Sequence, residues 1–413
     1  MITHVLIIGD SETEIWGLSG RERLQRMLEP LKQTRLADDP GQIPAHAPAL
    51  LLRADHLFDA SVLAALVNSH TNFVLTSDQD QAVAVRIAEG DVHSVLVDFM
   101  ADGKERKGRI SGRVYAALAR HTLKDLNLLA LRQNLKKRDP PYVLPISNEN
   151  RKILESELFT RSYKGVTDLV TKWLWPVPAF WAVRFCVRFG LRPNHVTLLS
   201  LLFAVLAGIA FWYGHYGIGL VMGWLMTFLD TVDGKLARVT VTSSRIGDVL
   251  DHGLDIIHPP LWYIAWGAGL PAGLAAVPDL PVLIWLILIG YIGGRLCEGA
   301  FQFWVASFDI FIWRPIDSFN RLITARRNPN LILLTFGWFM GRPDIGLWSV
   351  VVWHLLSTVF LAMRVVMGWQ ARRSQGALHS WFEEIVPGRD DEKLAVRIFV
   401  PLMIKIKDPK PSS

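Results

Sequence analysis

Two patterns of apolar positions divide the chain. Up to about residue 140, short runs rich in branched apolar residues, "HVLIIG", "ALLLRADHLF", "NFVLTS" and "SVLVDF", alternate with stretches such as "GRERLQRMLEPLK" and "DQAVAVRIAEG". The runs are strand-like and the stretches helical, and their alternation predicts a soluble α/β domain with a mostly parallel sheet over residues 1–140. Beyond the basic, proline-bearing connector "RQNLKKRDPPYVLP" the pattern changes to long uncharged runs. Between Pro193 and Leu229 there is no Asp, Glu, Lys or Arg, enough for two membrane-crossing helices of about 20 residues each, hinged at "GHYG". Further runs follow at Ile256 to Pro278, at "LPVLIWLILIGYIGG", at the short "NPNLILLTFGWFMG" and at Ile345 to Met363. The expected fold is therefore multi-domain, a soluble α/β domain followed by an all-α six-helix transmembrane domain. Residues 141–192 form a linker with an interfacial helix, residues 193–370 the six spans, and residues 371–413 a cytoplasmic tail.

Charge gives this arrangement an orientation. The turn at "GHYG" and the stretch "AGLPAGLAAVPDLP" carry no Lys or Arg, and Arg342 is the exception on that side. The opposite loops carry Lys235, Arg238 and Arg245, then Arg314, Arg321, Arg326 and Arg327, and the tail adds Arg372 and Arg373. Positive loops stay in the cytoplasm, so an even number of spans leaves both termini on that side of an inner (plasma) membrane. The opening "MITHVLIIGDSETE" has neither a basic leader nor a cleavage site, which agrees with a cytosolic N-terminal domain. Ahead of the first span, "TDLVTKWLWPVPAFWAVRFCVRFG" mixes tryptophans with Lys172, Arg184 and Arg188, a composition suited to a helix lying in the interface.

Composition sharpens the division. Of the 16 tryptophans only Trp16 precedes residue 172. The 44 basic and 38 acidic residues give a net charge of +6, too mild to suggest nucleic-acid binding. Cys186 and Cys297 stand in unrelated contexts, offer no disulfide framework or zinc spacing, and read as small buried hydrophobes.

Against this background "FLDTVDGKLARVTVTSSRIGDVLDHGLD" stands out, because it places a run of aspartates between apolar segments. Asp230 and Asp233 are three apart and Asp251 and Asp255 four apart, so on helices each pair shares a face. Gly247 lies one turn before Asp251, where the lack of a side chain permits close approach. Four carboxylates brought together cannot all stay ionised without cations. An all-oxygen ligand set favours Mg2+ or Mn2+, which commonly share their shell with substrate phosphates.

The same residues resemble the CDP-alcohol phosphatidyltransferase family, whose pattern D-x2-D-G-x2-A-R-x8-G-x3-D-x3-D is met by Asp230, Asp233, Gly234, Ala237, Arg238, Gly247, Asp251 and Asp255. "RPNHVTLLS" is similar to the Pro-Asn-x-x-Thr segment that opens the family's first span. The resemblance implies a six-helix domain in which an acceptor hydroxyl attacks the β-phosphorus of a CDP-alcohol and releases CMP. It further implies that Asp230, Asp233, Asp251 and Asp255 hold two ions, Mg2+ or Mn2+, with Asp255 also the general base. Asn194, Thr197, Gly234, Ala237, Arg238, Ser244 and Gly247 would form the nucleotide site, and a homodimer is expected. A divalent-cation transporter and a Mg-dependent membrane prenyltransferase use similar carboxylates. The first would favour an internal repeat and acids at mid-span, and the second needs two distant aspartate-rich loops. This sequence shows neither pattern.

Other polar candidates are Arg295 with Glu298, an ion pair or an anion site, and Arg314, Arg321, Arg326 and Arg327, which set topology or receive a phosphorylated acceptor or anionic lipid. His252, His258 and His354 read as structural. In the first domain, "IIGDSETEIWGLSGRERLQRMLE" with "RADHLFDASVLAAL" looks like a degenerate sugar-phosphate nucleotidyltransferase, which implies a phosphate loop at Ser19, Gly20 and Arg21 and a metal aspartate at Asp55.

Overall fold

The first strand, β1 (Thr3–Ile8), forms where branched apolar residues run together, and it lies at the centre of a three-strand parallel unit. The computed structural model describes residues 2–400 apart from 45, 78–79, 89–91, 103–117, 127–130, 133–135, 243–244, 272–278 and 387. It describes the backbone alone at 93, 98, 100–102, 131–132, 137–138, 245–252 and 254–255. After β1 comes α1 (Gly20–Leu28), started by a capping box in which Ser19 and Glu22 satisfy each other's backbone N–H groups. Then follow β2 (Thr34–Ala37), β3 (Ala49–Arg53), β4 (His56–Phe58), α2 (Ala60–Asn68), β5 (Phe73–Thr76), β6 (Ala82–Ile87), α3 (Val92–Asp102) and β7 (Ala119–His121). The sheet order is β2-β1-β3-β6-β5-β7.

Two expectations change here. The sheet is mixed rather than mostly parallel, because β6 runs antiparallel to both β3 and β5. The segment "AVAVRI", expected in a helix, is β6, and "SVLVDF", expected as a strand, belongs to α3. Each residue of β6 is buried, so its polar-apolar pattern carries no alternation to read. In α3, Val92, Val95, Leu96 and Phe99 recur at helical spacing and bury on the sheet, while Val97 is exposed.

Beyond the sheet, β8 (Leu131–Arg132) and β9 (Lys137–Arg138) form a hairpin, and β10 (Val143–Pro145) pairs antiparallel with β4. The helical part comprises α4 (Arg151–Arg161), a π-helical turn at Val170–Leu174, α5 (Pro176–Arg188), α6 (Pro193–Trp212), α7 (Tyr216–Val239), α8 (Arg245–Ala268), α9 (Leu280–Ala300), α10 (Pro315–Ile323), α11 (Arg327–Phe339), α12 (Pro343–Gln375) and α13 (Leu394–Phe399). Gly214, at φ 73, makes the turn between α6 and α7, in the "GHYG" hinge. Among the described residues three helices are long and apolar enough to cross a membrane, Pro193–Trp212, Leu280–Val305 and Pro343–Gln375. Leu198, Leu202, Val205 and Ile209 make an exposed apolar stripe along α6. On α5 and the turn before it, Trp173, Val177, Trp181, Phe185 and Phe189 are exposed while Ala179, Val183 and Cys186 are buried, so the helix has one apolar face open and one packed.

α6 packs along α7 and α8, and α9 along α12. Indole and phenol groups anchor the bundle at neighbouring carbonyls: Trp262 Nε1 donates to Ala204 at 2.7 Å, Trp266 Nε1 to Pro343 at 2.9 Å, and Tyr216 to Trp266 at 3.1 Å. His354 lies buried, with Nδ1 3.0 Å from the Val350 carbonyl, a structural role as expected. Cys186 and Cys297 are free; the first is buried and the second half-buried.

The two parts are fastened by a tight turn in the β1–α1 loop. Ile15 and Leu18 exchange backbone hydrogen bonds across Trp16 and Gly17, both at positive φ (55 and 71). A bulky residue rarely adopts that conformation, and here it delivers the indole into the helical part. Trp16 is 2 % exposed, packs edge-on against Phe180 at 5.5 Å, and donates through Nε1 to the Glu155 carbonyl at 2.9 Å. Around it Leu154, Phe159, Val183, Val232 and Leu236 close an apolar cluster shared by both parts. Replacing Trp16 with Ala is expected to destabilise the protein by about 3–5 kcal/mol and to expose the connector to limited proteolysis; circular dichroism melting and protease digestion in detergent check both.

Candidate active site

α7 carries the motif at its last turns. Its early residues are apolar, yet Asp233 is 5 % exposed, so a carboxylate is held where its charge is costly. The compensation comes from α6. Thr197 Oγ1 lies 2.7 Å from Asp233 Oδ2 and 3.1 Å from the Pro193 carbonyl. Asp230, one turn earlier and half-buried, receives Arg327 Nη2 at 2.5 Å. Thr197, Ser200, Met226, Asp230, Asp233 and His258 line one narrow cleft where α6, α7 and α8 converge. His258 is buried in its wall with its ring against Trp262.

The remaining motif positions extend from this cleft. A Cβ on Gly234 would approach Arg238 Nη2 to 3.0 Å, so the glycine leaves the guanidinium room to lie back along the helix. Arg238 is exposed and Ala237 half-buried. Lys235 is buried with Nζ 3.6 Å from the centre of the Tyr163 ring. Burial pushes the Tyr163 hydroxyl above its ordinary pKa, and the Arg238 charge opposes that shift. Asn194 is exposed in the first turn of α6. Gly247, Asp251 and Asp255 lie on the backbone of α8, but the side chains of Asp251, His252 and Asp255, and Ser244 as a whole, fall outside the described residues.

The structure thus brings together Thr197, Asp230 and Asp233 and adds a partner that sequence reading assigned elsewhere. Arg327, expected to set topology or receive an anion, neutralises Asp230. Its neighbour Asn328 donates to Asp168 Oδ1 at 2.9 Å, and Asp168 also accepts from the Thr171 N–H at 3.0 Å. Burial alone would raise the Asp168 pKa, but the Arg321 charge and these hydrogen bonds hold it below the ordinary value. Asp168 therefore fixes the start of α11, from which Arg327 reaches the cleft. Nothing in the sequence marked Asp168, which lies far from the motif. Glu298 pairs with both Arg295 and Arg326, and Arg314 takes part in a cap with Asp317, so these arginines have structural partners.

An ion implied by the family resemblance requires oxygen donors in a region that already needs positive charge. Asp230 and Asp233 supply such oxygens, and Asp230 is already paired with the Arg327 guanidinium. The donor chemistry fits Mg2+ or Mn2+. Among the described residues no group of three or more His, Cys, Asp or Glu gathers at one point.

The first domain's loop is occupied differently from expectation. Asp10 accepts the Arg21 N–H at the start of α1 (3.1 Å) and the Ser19 hydroxyl (3.2 Å), so a carboxylate of the chain itself lies where a phosphate was expected. A Cβ on Gly20 would meet the Ala54 carbonyl at 1.7 Å, which gives that glycine a packing reason. Asp55 is paired with Arg53 at 2.5 Å and with His56 Nδ1 at 2.7 Å.

Comparison with known proteins finds similarity over part of the chain. Residues 191–322, less than half of the chain, match the sequence model of the family described as CDP-alcohol phosphatidyltransferase. Among curated proteins the chain is similar to cholinephosphotransferase 1 of Danio rerio, 25% identical over 179 residues (41% of this chain and 42% of the relative). It is likewise similar to that of Mus musculus, 28% identical over 177 residues (41% and 40%). A bifunctional IPC transferase and DIPP synthase of Rubrobacter xylanophilus is 30% identical over 157 residues (38% and 33%). The similarity spans less than half the length of each of these relatives.

Thr197→Val would leave Asp233 buried with one hydrogen bond fewer, at a cost of about 1–3 kcal/mol. The expected result is a lower thermal unfolding midpoint in detergent for this variant, and near-normal stability for Thr197→Ser, which keeps the hydroxyl.

Proposed function

We propose that the chain is a membrane CDP-alcohol phosphotransferase that moves a phosphoalcohol group from a CDP-alcohol to an acceptor hydroxyl, in the synthesis of phospholipids or polyol phosphodiesters. The observation that carries this reading is the buried Asp233 with Asp230 at the end of α7, inside the stretch that matches the family. On this reading Asp230, Asp233, Asp251 and Asp255 hold two divalent ions, Mg2+ or Mn2+, which supply positive charge to the diphosphate and to the departing CMP. Asp251 and Asp255 precede His258 on α8 by two turns and one turn, and His258 lines the cleft, which supports their assignment to the same site.

The reaction forms a bond from the acceptor oxygen to the β-phosphorus as the bond to the bridging oxygen breaks. The acceptor proton passes to the Asp255 carboxylate, and the bridging oxygen leaves on CMP. A carboxylate is a weak base towards an alcohol, so it takes the proton only as the oxygen bonds to phosphorus. Thr197 holds Asp233 in place, while Gly234 and Arg238 form the nucleotide's wall, the arginine as a fixed phosphate partner.

The membrane placement is six spans, α6, α7, α8, α9, α11 and α12, with the motif and both termini at the cytoplasmic face. The basic residues at the motif end of the bundle and the exposed apolar stripe of α6 support it. We read the first domain as nucleotidyltransferase-like. Its support is the switch point between β1 and β3, where such folds bind ligands and where Asp10 and Asp55 are already engaged within the chain.

CMP release from a panel of CDP-alcohols and acceptors, with Mg2+ and purified protein, tests the transferase. Asp233→Asn is expected to lower the rate by about 100-fold or more, the scale of a lost electrostatic group, with the fold intact by circular dichroism. Chelation should stop the wild-type reaction and added Mg2+ restore it. Undiminished CMP release from the variant would refute the reading.

A further inference from the structure

A second cavity, of about 310 Å³, lies where the first domain meets the end of α7. That volume is in the range of small-ligand sites. Its walls carry Arg23 and Arg26 from α1, Tyr142, Arg161 from α4, and Arg238 from α7, and among the described residues no Asp or Glu lines it. Arg161 is balanced by Glu157 at 2.6 Å and lies over the Tyr142 ring. The two arginines of α1 are different. Arg23 donates to the Ile15 and Val239 carbonyls at 3.0 and 2.7 Å, and Arg26 to the Thr240 carbonyl at 2.8 Å. These partners are carbonyls, and among the described residues no carboxylate pairs with either guanidinium. Arg23 is 5 % exposed and its Nε is buried without a hydrogen-bond partner.

A buried guanidinium with an unused donor, a second guanidinium bonded only to a carbonyl, and an aromatic wall together describe the complement of a phosphate ester. We propose that this junction cavity binds a phosphate-bearing ligand, its charge taken by Arg23 and Arg26. The site is separate from the aspartate cleft, whose lining residues it does not share. It requires neither the divalent ions nor the transfer reaction. Because Arg23 and Arg26 also bond the last carbonyls of α7, a ligand there draws on the groups that hold the motif helix to the first domain.

The test is isothermal titration calorimetry on the full-length protein in detergent, with sodium pyrophosphate and separately CMP, in Mg2+-free buffer with chelator. One saturable site is expected, weakened about tenfold in Arg26→Gln by loss of a charge-assisted contact and largely restored in Arg26→Lys. Asp233→Asn is expected to bind pyrophosphate as wild type does, so undiminished CMP release from that variant, alongside normal pyrophosphate binding, would sink the transferase reading alone. A parallel arm compares thermal stability in nanodiscs of phosphatidylcholine with and without phosphatidylglycerol. Saturable soluble binding assigns a free phosphate ester, whereas stabilisation only by phosphatidylglycerol, absent in Arg26→Gln, assigns a lipid headgroup. Wild-type behaviour of Arg26→Gln in both arms, or no response to any probe, would overturn the proposal.

Discussion

A carboxyl group buried at the end of an apolar helix is the constraint around which the helical part is arranged. Removing Asp233 from water costs several kcal/mol unless partners replace the lost solvation, and the chain supplies them from distant segments. Thr197 comes from α6, Arg327 neutralises the neighbouring Asp230 from α11, and Asp168 secures the start of α11 through Asn328. Loosening any one of these elements leaves charge without compensation, so the site and the bundle are stabilised by the same contacts.

A second dependence runs the other way, from the soluble domain to the motif. The last carbonyls of a helix lack partners within it, and α7 ends close behind Gly234 and Arg238. Arg23 and Arg26 supply the missing donors from α1, while the Trp16 turn fills the apolar space beside Val232 and Leu236. An unusual backbone at Trp16 is therefore maintained by what the indole gains on the other side of the junction.

Much of this was legible in the chain and part was not, for physical reasons. The spacing of Asp230 and Asp233 put both on one cleft wall because helical periodicity converts sequence distance directly into a shared face. Long uncharged runs located α6, α9 and α12, and the turn at Gly214 fell within the "GHYG" hinge. The reading failed at β6, where uniform burial leaves no alternation to read, and at α3, where the run of branched apolar residues outweighed the helical spacing of Val92, Val95, Leu96 and Phe99. It failed again for contacts distant in sequence. The ion pair of Arg327 with Asp230 has no local signature, and a basic residue beside a span reads equally as a topology signal. One clue to the junction was present, since the single early tryptophan is the residue that crosses into the tryptophan-rich part.

The brevity of α11 has a mechanical consequence. At 13 residues it reaches about 20 Å, against a hydrocarbon layer of about 30 Å. In the proposed placement its Arg327 end is fixed at the cytoplasmic face, so the shortfall lies at the opposite end, near Gly341 and the Arg342–Asp344 ion pair. The outer leaflet must sink there to meet it, at a modest elastic cost for each ångström. On that placement a thicker bilayer would strain this helix and pull on the guanidinium that steadies Asp230. Lipid thickness would thereby become a variable to which the aspartate end of the bundle responds.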